Sequence, residues 1–108
     1  MAGYRLIPAA EADIEEALAN TLTKWGFDKY ADYALLIQEA LEELADDPRA
    51  GKRREYIHPD AWAYRIAKPG RRARHVFLYE IVDDIPQIYG LFYDGKDLPA
   101  HWHTRTRR

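Results

Sequence analysis

Apolar residues recur along this chain with two different periods. Over the first half the spacing is three and four residues. Ile14, Ala17, Leu18, Thr21, Leu22 and Trp25 form one such stripe, which predicts an amphipathic helix with a single buried face. Pro8 suits the first turn of that helix, where its missing N–H costs nothing. Glu11, Asp13, Glu15 and Glu16 follow near the positive end of the helix dipole, and Gly26 is the stop. Asp28 is read as the N-cap of a second helix, with a stripe of Tyr30, Tyr33, Ala34, Ile37, Ala40, Leu41 and Leu44 that ends at Asp47-Pro48. Leu35 and Leu36 lie off this stripe and are read as widening the buried face, the alternative being a role at an interface. So short a link forces the two helices into an antiparallel hairpin.

Beyond Pro48 the period changes to two. A basic loop, Arg49 to Arg54, leads into Glu55-Tyr56-Ile57, read as a short strand, and His58-Pro59-Asp60 turns the chain. Trp62, Tyr64 and Ile66 then alternate with Ala63 and Arg65 as the next strand, and Lys68-Pro69-Gly70 is a turn. Two further runs, Val76 to Val82 and Ile85 to Tyr93, joined at Asp83-Asp84, predict an antiparallel hairpin. His75, Phe77, Tyr79 and Ile81 share one face of it, and Val76, Leu78, Glu80 and Val82 the other. Both faces are apolar, so one is expected to lie on the helices and the other to be only lightly covered. A short strand around Tyr4 and Leu6 precedes the helices. The order β-α-α-β-β-β-β predicts an α+β domain, a helical hairpin packed on one face of a small antiparallel sheet. Residues 1–108 read as one domain, with 97–108 a polar tail in which Trp102 is the large apolar group.

Charge adds a second pattern. Residues 1–48 hold 3 Lys/Arg against 11 Asp/Glu, and residues 49–74 hold 9 against 2, although the whole chain is only −2. The basic belt suits phosphate or an acidic protein partner; the alternative is that the two halves neutralise one another across the fold. Cysteine is absent, which suits a reducing cytosol, and no apolar run approaches the length of a membrane span. The expectation is a cytoplasmic protein without membrane attachment.

Serine is absent as well, so neither a serine nor a cysteine nucleophile is available. The dispersed glycines form no phosphate-cradling loop. His101 and His103 lack a third metal ligand at a recognised spacing, and no cofactor is called for. Acid–base cleavage of RNA stays open, because the substrate's own 2′-hydroxyl can be the nucleophile. The groups available for it are Arg65, Arg74, His75, Tyr79, Tyr93 and Lys96. His75 in a strand is read as a hydrogen-bonded structural residue and Tyr79 as packing. Arg65 and Arg74, if side by side on the outer sheet face, would take either phosphate or a partner's carboxylates.

Five segments together resemble the RelE/ParE superfamily of type II toxin–antitoxin systems, and within it the ParE (plasmid stabilisation) branch. They are Tyr4-Arg-Leu-Ile-Pro-Ala-Ala-Glu-Ala-Asp-Ile14, Trp25-Gly26, Leu44-Ala-Asp-Asp-Pro48 with Gly51, Arg74-His-Val-Phe-Leu-Tyr79, and Asp97-Leu-Pro-Ala-His101. The resemblance implies a toxin held silent in a hetero-oligomer with a cognate ParD-like antitoxin, and DNA gyrase as its target. The RelE branch, by contrast, cuts mRNA on the ribosome; that alternative would give Arg65, Arg74, His75 and Tyr93 catalytic roles. A third reading is a non-toxic member that only binds antitoxin. Gly90-Leu91-Phe92-Tyr93 stands where the ParE branch often has Arg-Val-Leu-His, a departure that removes one basic contact. Arg53, Arg54, Arg65, Arg72, Arg74 and Tyr93 are the residues expected to meet a partner, with an acidic amphipathic antitoxin segment against the basic belt.

Overall fold

A computed structural model describes residues 3–66, 75–94 and 97–107. In chain order the elements are β1 (Arg5–Leu6), α1 (Pro8–Trp25), α2 (Phe27–Asp46), a 3-10 turn (Pro48–Ala50), β2 (Lys52–Arg53), β3 (Trp62–Arg65), β4 (His75–Val82), β5 (Ile85–Tyr93) and α3 (Leu98–Thr106). The strands form one five-stranded sheet in the order β1-β5-β4-β3-β2. Every pairing is antiparallel except the edge, where β1 runs parallel to β5. The fold is the α+β arrangement the sequence predicts, a helical hairpin on one face of a small sheet.

Its local causes are those of the pattern. Pro8 opens α1, and Gly26, at φ 88°, ends α1 and begins α2 in a single residue. Only glycine takes that left-handed backbone without strain. The second helix therefore starts at Phe27, one residue before the expected cap at Asp28. Asp83 and Asp84 both have positive φ, the geometry of a two-residue hairpin turn whose twist matches the strands it joins. Asp47 accepts from Arg49 N–H at 3.0 Å and starts the 3-10 turn.

The core between sheet and hairpin holds Ala10, Ile37, Leu44, Phe77, Tyr79 and Ile88. Tyr79 is fully buried, with its hydroxyl donating to Pro48 C=O at 2.6 Å and accepting from Gly51 N–H at 3.2 Å. Burial pushes that hydroxyl's pKa up to about 12, so it stays protonated and pins the turn after α2 to the sheet. A side chain at Gly51 would meet both Tyr79 Oη and the backbone of Ala63.

Five expectations are corrected here. Glu55 to Ile57 is a turn, and the short strand lies earlier, at Lys52–Arg53, where the antiparallel register with Trp62 and Ala63 provides its backbone partners. The tail is α3: Asp97 caps it through Ala100 N–H, Pro99 sits in its first turn, and Leu98 and Trp102 are buried. The outer face of the sheet is consequently covered, not lightly roofed, because Leu98 and Trp102 pack against Ala61, Ala63, Val76, Leu78, Tyr89 and Phe92. At the hairpin tip, Leu22 and Trp25 are 44% and 70% exposed, although both continue the α1 stripe. Leu36 packs on the core while Leu35 is exposed.

Candidate partner-binding site

Strand register places three of the sequence-nominated residues at one end of the sheet. Arg65 closes β3 opposite Val76, and His75 opens β4 opposite Tyr93, the last residue of β5. Alternation then separates them. His75 and Tyr93 lie on the helical side with Phe77 and Leu91, their rings 4.4 Å apart. Arg65 is paired with Val76 and belongs to the opposite face.

On the helical side, Tyr33 Oη lies 2.6 Å from His75 Nδ1. Burial raises the tyrosine pKa and lowers that of the histidine, so both groups are held neutral. The unfolded histidine, near 6.5, binds a proton more readily than the folded one, so stability rises with pH through this range. The contribution is complete above the unfolded value and is lost as pH falls below it. Thermal unfolding followed from pH 7.5 to 5 is expected to show a falling melting temperature, and His75→Phe to flatten that slope.

On the other face, Asp94 gathers two guanidiniums. Arg54 Nη1 donates to Oδ1 at 3.1 Å and Arg65 Nη2 to Oδ2. The hydrogen bond from Arg54, with that from Arg65, holds the Asp94 carboxyl below the usual carboxylate range. Beside them a groove of about 470 Å³ is lined by Glu43, Ala50, Gly51, Lys52, Arg54, Ala63, Tyr64 and Arg65. Tyr64 Oη donates to Glu43 at its wall. With Lys52 included, three cations face two carboxylates, so the groove is positive but already carries an internal counter-ion. Arg53 is half-exposed and donates to Pro59 C=O at 2.8 Å. Arg72, Arg74 and Lys96 lie outside the described residues.

A second groove, of about 430 Å³, opens between α1, the ends of β4 and β5, and α3, with Asp13, Glu16, Thr21, Lys24, Trp25, His75, Phe92, Tyr93, His101 and Arg105 among its lining. Its floor is tied by a clamp that no local pattern in the chain predicts. β1 pairs with β5 only as far as Ile88, which leaves the rest of that edge open. Asp13 accepts from Leu91 N–H at 3.1 Å, and Arg105 donates to Tyr89 C=O at 2.7 Å and to both oxygens of Asp13 at 2.9 and 3.1 Å. The same guanidinium lies 4.9 Å from the Phe92 ring centroid. A register shift between Leu78 and Tyr79 opposes Gly90 to Leu78 and Ile88 to Tyr79, leaving Tyr89 as the extra residue. Gly90 is required there, because a Cβ would fall 2.5 Å from the Phe92 ring and 2.7 Å from Asp13 Oδ2.

His101 stacks on Phe92 at 4.3 Å, and among the described residues no three His, Cys, Asp or Glu side chains cluster as a metal site would need. No helix among the described residues is long and apolar enough to cross a membrane. Trp25, Tyr33 and Asp94 are the groups that sequence reasoning missed. Asp94 had one signal, its place directly after Tyr93 in a turn beside a basic belt.

A helical hairpin on a small sheet, with cationic and aromatic surfaces at one end, defines a small α+β domain. Residues 4–92 match the family described as the ParE toxin of the type II toxin-antitoxin system, parDE, and the chain belongs to that family. It is 32% identical over 81 residues to Toxin ParE1 of Mycobacterium tuberculosis, covering 75% of this chain and 76% of the relative. To Toxin ParE1 of Caulobacter vibrioides it is 31% identical over 101 residues, covering 94% and 98%. Family membership implies a cognate antitoxin as partner.

Proposed function

We propose that this toxin acts by binding DNA gyrase, makes and breaks no bond itself, and is silenced by a ParD-like antitoxin in a cytoplasmic hetero-oligomer. The observation that carries the choice of binding over cutting is the split of the candidate catalytic groups. A general acid or base and the cation that stabilises a scissile phosphate must converge on one point, whereas His75 and Arg65 belong to opposite faces of the sheet. His75 is engaged by Tyr33 and Arg65 by Asp94. The ribosome-dependent nuclease reading draws on Tyr93, which is 50% exposed beside His75. It requires codon-positioned mRNA cuts on induction that vanish in Tyr93→Phe; intact transcripts during growth arrest remove it.

The antitoxin is assigned to the cationic groove. An acidic side chain that enters beside Arg54 and Arg65 gains charge-assisted hydrogen bonds from guanidiniums that Asp94 has already oriented. Arg54→Glu and Arg65→Glu are expected to raise the antitoxin dissociation rate on the order of tenfold or more, measured by surface-based kinetics at fixed salt. Unaltered dissociation in both variants refutes the placement.

A further inference from the structure

We infer that Arg54 holds one aspartate or glutamate side chain of the antitoxin through its Nε and Nη2 edge, and that this pair of N–H groups, not the summed charge of the groove, determines what the groove accepts. The inference rests on the antitoxin placement proposed above. It separates Arg54 from Arg65 and names the single side chain that the groove takes.

Both partners of the Arg54 guanidinium crowd one amino group. Nη1 donates to Tyr56 Oη at 3.3 Å and to Asp94 Oδ1 at 3.1 Å. Among the described residues, Nε and Nη2 have no partner. No buried side-chain nitrogen among those residues lacks one, so both atoms reach solvent. Their N–H bonds point the same way, at the spacing of the two oxygens of a carboxylate. The side chain lines the 470 Å³ groove and is only 21% exposed. Its fork is thus fixed before anything binds, and little rotamer freedom is lost when a carboxylate arrives. Arg65 is held less firmly. It is 57% exposed and tied to Asp94 through one nitrogen, so water screens it and binding must order it.

Shape and neighbours then select the occupant. A nucleic-acid strand carries a charge at every nucleotide and needs a run of unmatched cations. Here Arg49 and Arg53 each lie 3.7 Å from a carboxylate, Asp84 and Glu55, and Arg54 and Arg65 share Asp94. Every arginine between residues 49 and 65 is therefore already matched. Glu43 also lines the groove, so a second negative charge entering beside the first would be repelled. One isolated carboxylate with two coplanar oxygens fits the open fork. The chain's family supplies the partner that brings it, a cognate antitoxin. Lysine at position 54 would keep the charge and lose the fork, which separates the two causes by experiment.

The test sets R54K and R65K beside the two charge reversals above, each titrated with the cognate antitoxin at fixed salt and melted to confirm folding. R54K is expected to weaken binding on the order of tenfold, and R65K by less than about threefold. An alanine scan of the antitoxin's acidic residues against the wild-type toxin needs no toxin variant. It should find one acid whose removal weakens binding about tenfold, a loss that shrinks to about twofold against R54K. Wild-type affinity in R54K, or a loss spread evenly over the antitoxin's acids, overturns the inference, because either gives the groove to charge alone. Self-association of the toxin that R54K abolishes in sedimentation overturns it too, by assigning the fork to a second copy. Displacement of the antitoxin by a short single-stranded RNA does so by assigning it to phosphate. Unchanged binding in both Arg54→Glu and Arg65→Glu is a different failure, that of the antitoxin placement itself.

Discussion

Trp102→Ala is expected to lower the unfolding free energy by about 3–5 kcal/mol, the cost of emptying a buried site of an indole. The ring is 5% exposed, meets Tyr89 edge-on at 5.1 Å and stacks on His58 at 5.4 Å. It lies over small and branched side chains, Ala61, Ala63, Val76 and Leu78, which form the flat surface an indole can fill. The two alanines cannot extend to occupy the void, so little of the lost contact is recovered. Against the 5–15 kcal/mol typical of a domain this size, the change should reduce the melting temperature on the order of 15 °C. Urea titration at fixed pH measures it directly. An unchanged midpoint would mean that α3 does not dock on the sheet.

Asp13→Ala is expected to be the next most damaging substitution, at about 2–3 kcal/mol. It removes the carboxylate that Arg105 grips with two hydrogen bonds and that caps Leu91 N–H on the open edge of β5. Charge-assisted bonds of this kind each contribute about 1.5–3 kcal/mol, and stranding the partner adds to the cost. Both side chains keep about a fifth of their surface exposed (20% and 18%), so water recovers part of the loss and the effect stays below that of a fully buried pair. Asp13→Asn should fall between, because it can still accept from Leu91. A double-mutant cycle with Arg105→Ala isolates the pair; a coupling energy near zero would show that the clamp contributes nothing.

Much of the fold was legible because helix and strand periods dominate it. The stripe from Tyr30 to Leu44 and the hairpin around Asp83-Asp84 follow from local pattern alone. The errors have physical causes. Trp25 continues the helical period of α1, but periodicity records which way a side chain points and not whether another element covers it. Residues 97–108 are polar on average, and their helix is held by two buried apolar groups, Leu98 and Trp102. The Asp13–Arg105 clamp joins positions 92 apart in sequence, and no local signal marks such a pair. Of the candidate site, Arg65, His75 and Tyr93 were named from sequence and do share one end of the sheet. Their division between two faces depends on the register of β3 on β4, which sequence does not fix.

That division underlies the central claim that the toxin grips a macromolecule and performs no chemistry on it. Gyrase supercoiling assayed with the purified chain tests it most directly, with and without antitoxin. Inhibition near stoichiometric amounts, relieved by antitoxin and retained in His75→Phe and Tyr93→Phe, is the expected result. Full supercoiling at large molar excess, together with codon-positioned mRNA cleavage in cells, would contradict it.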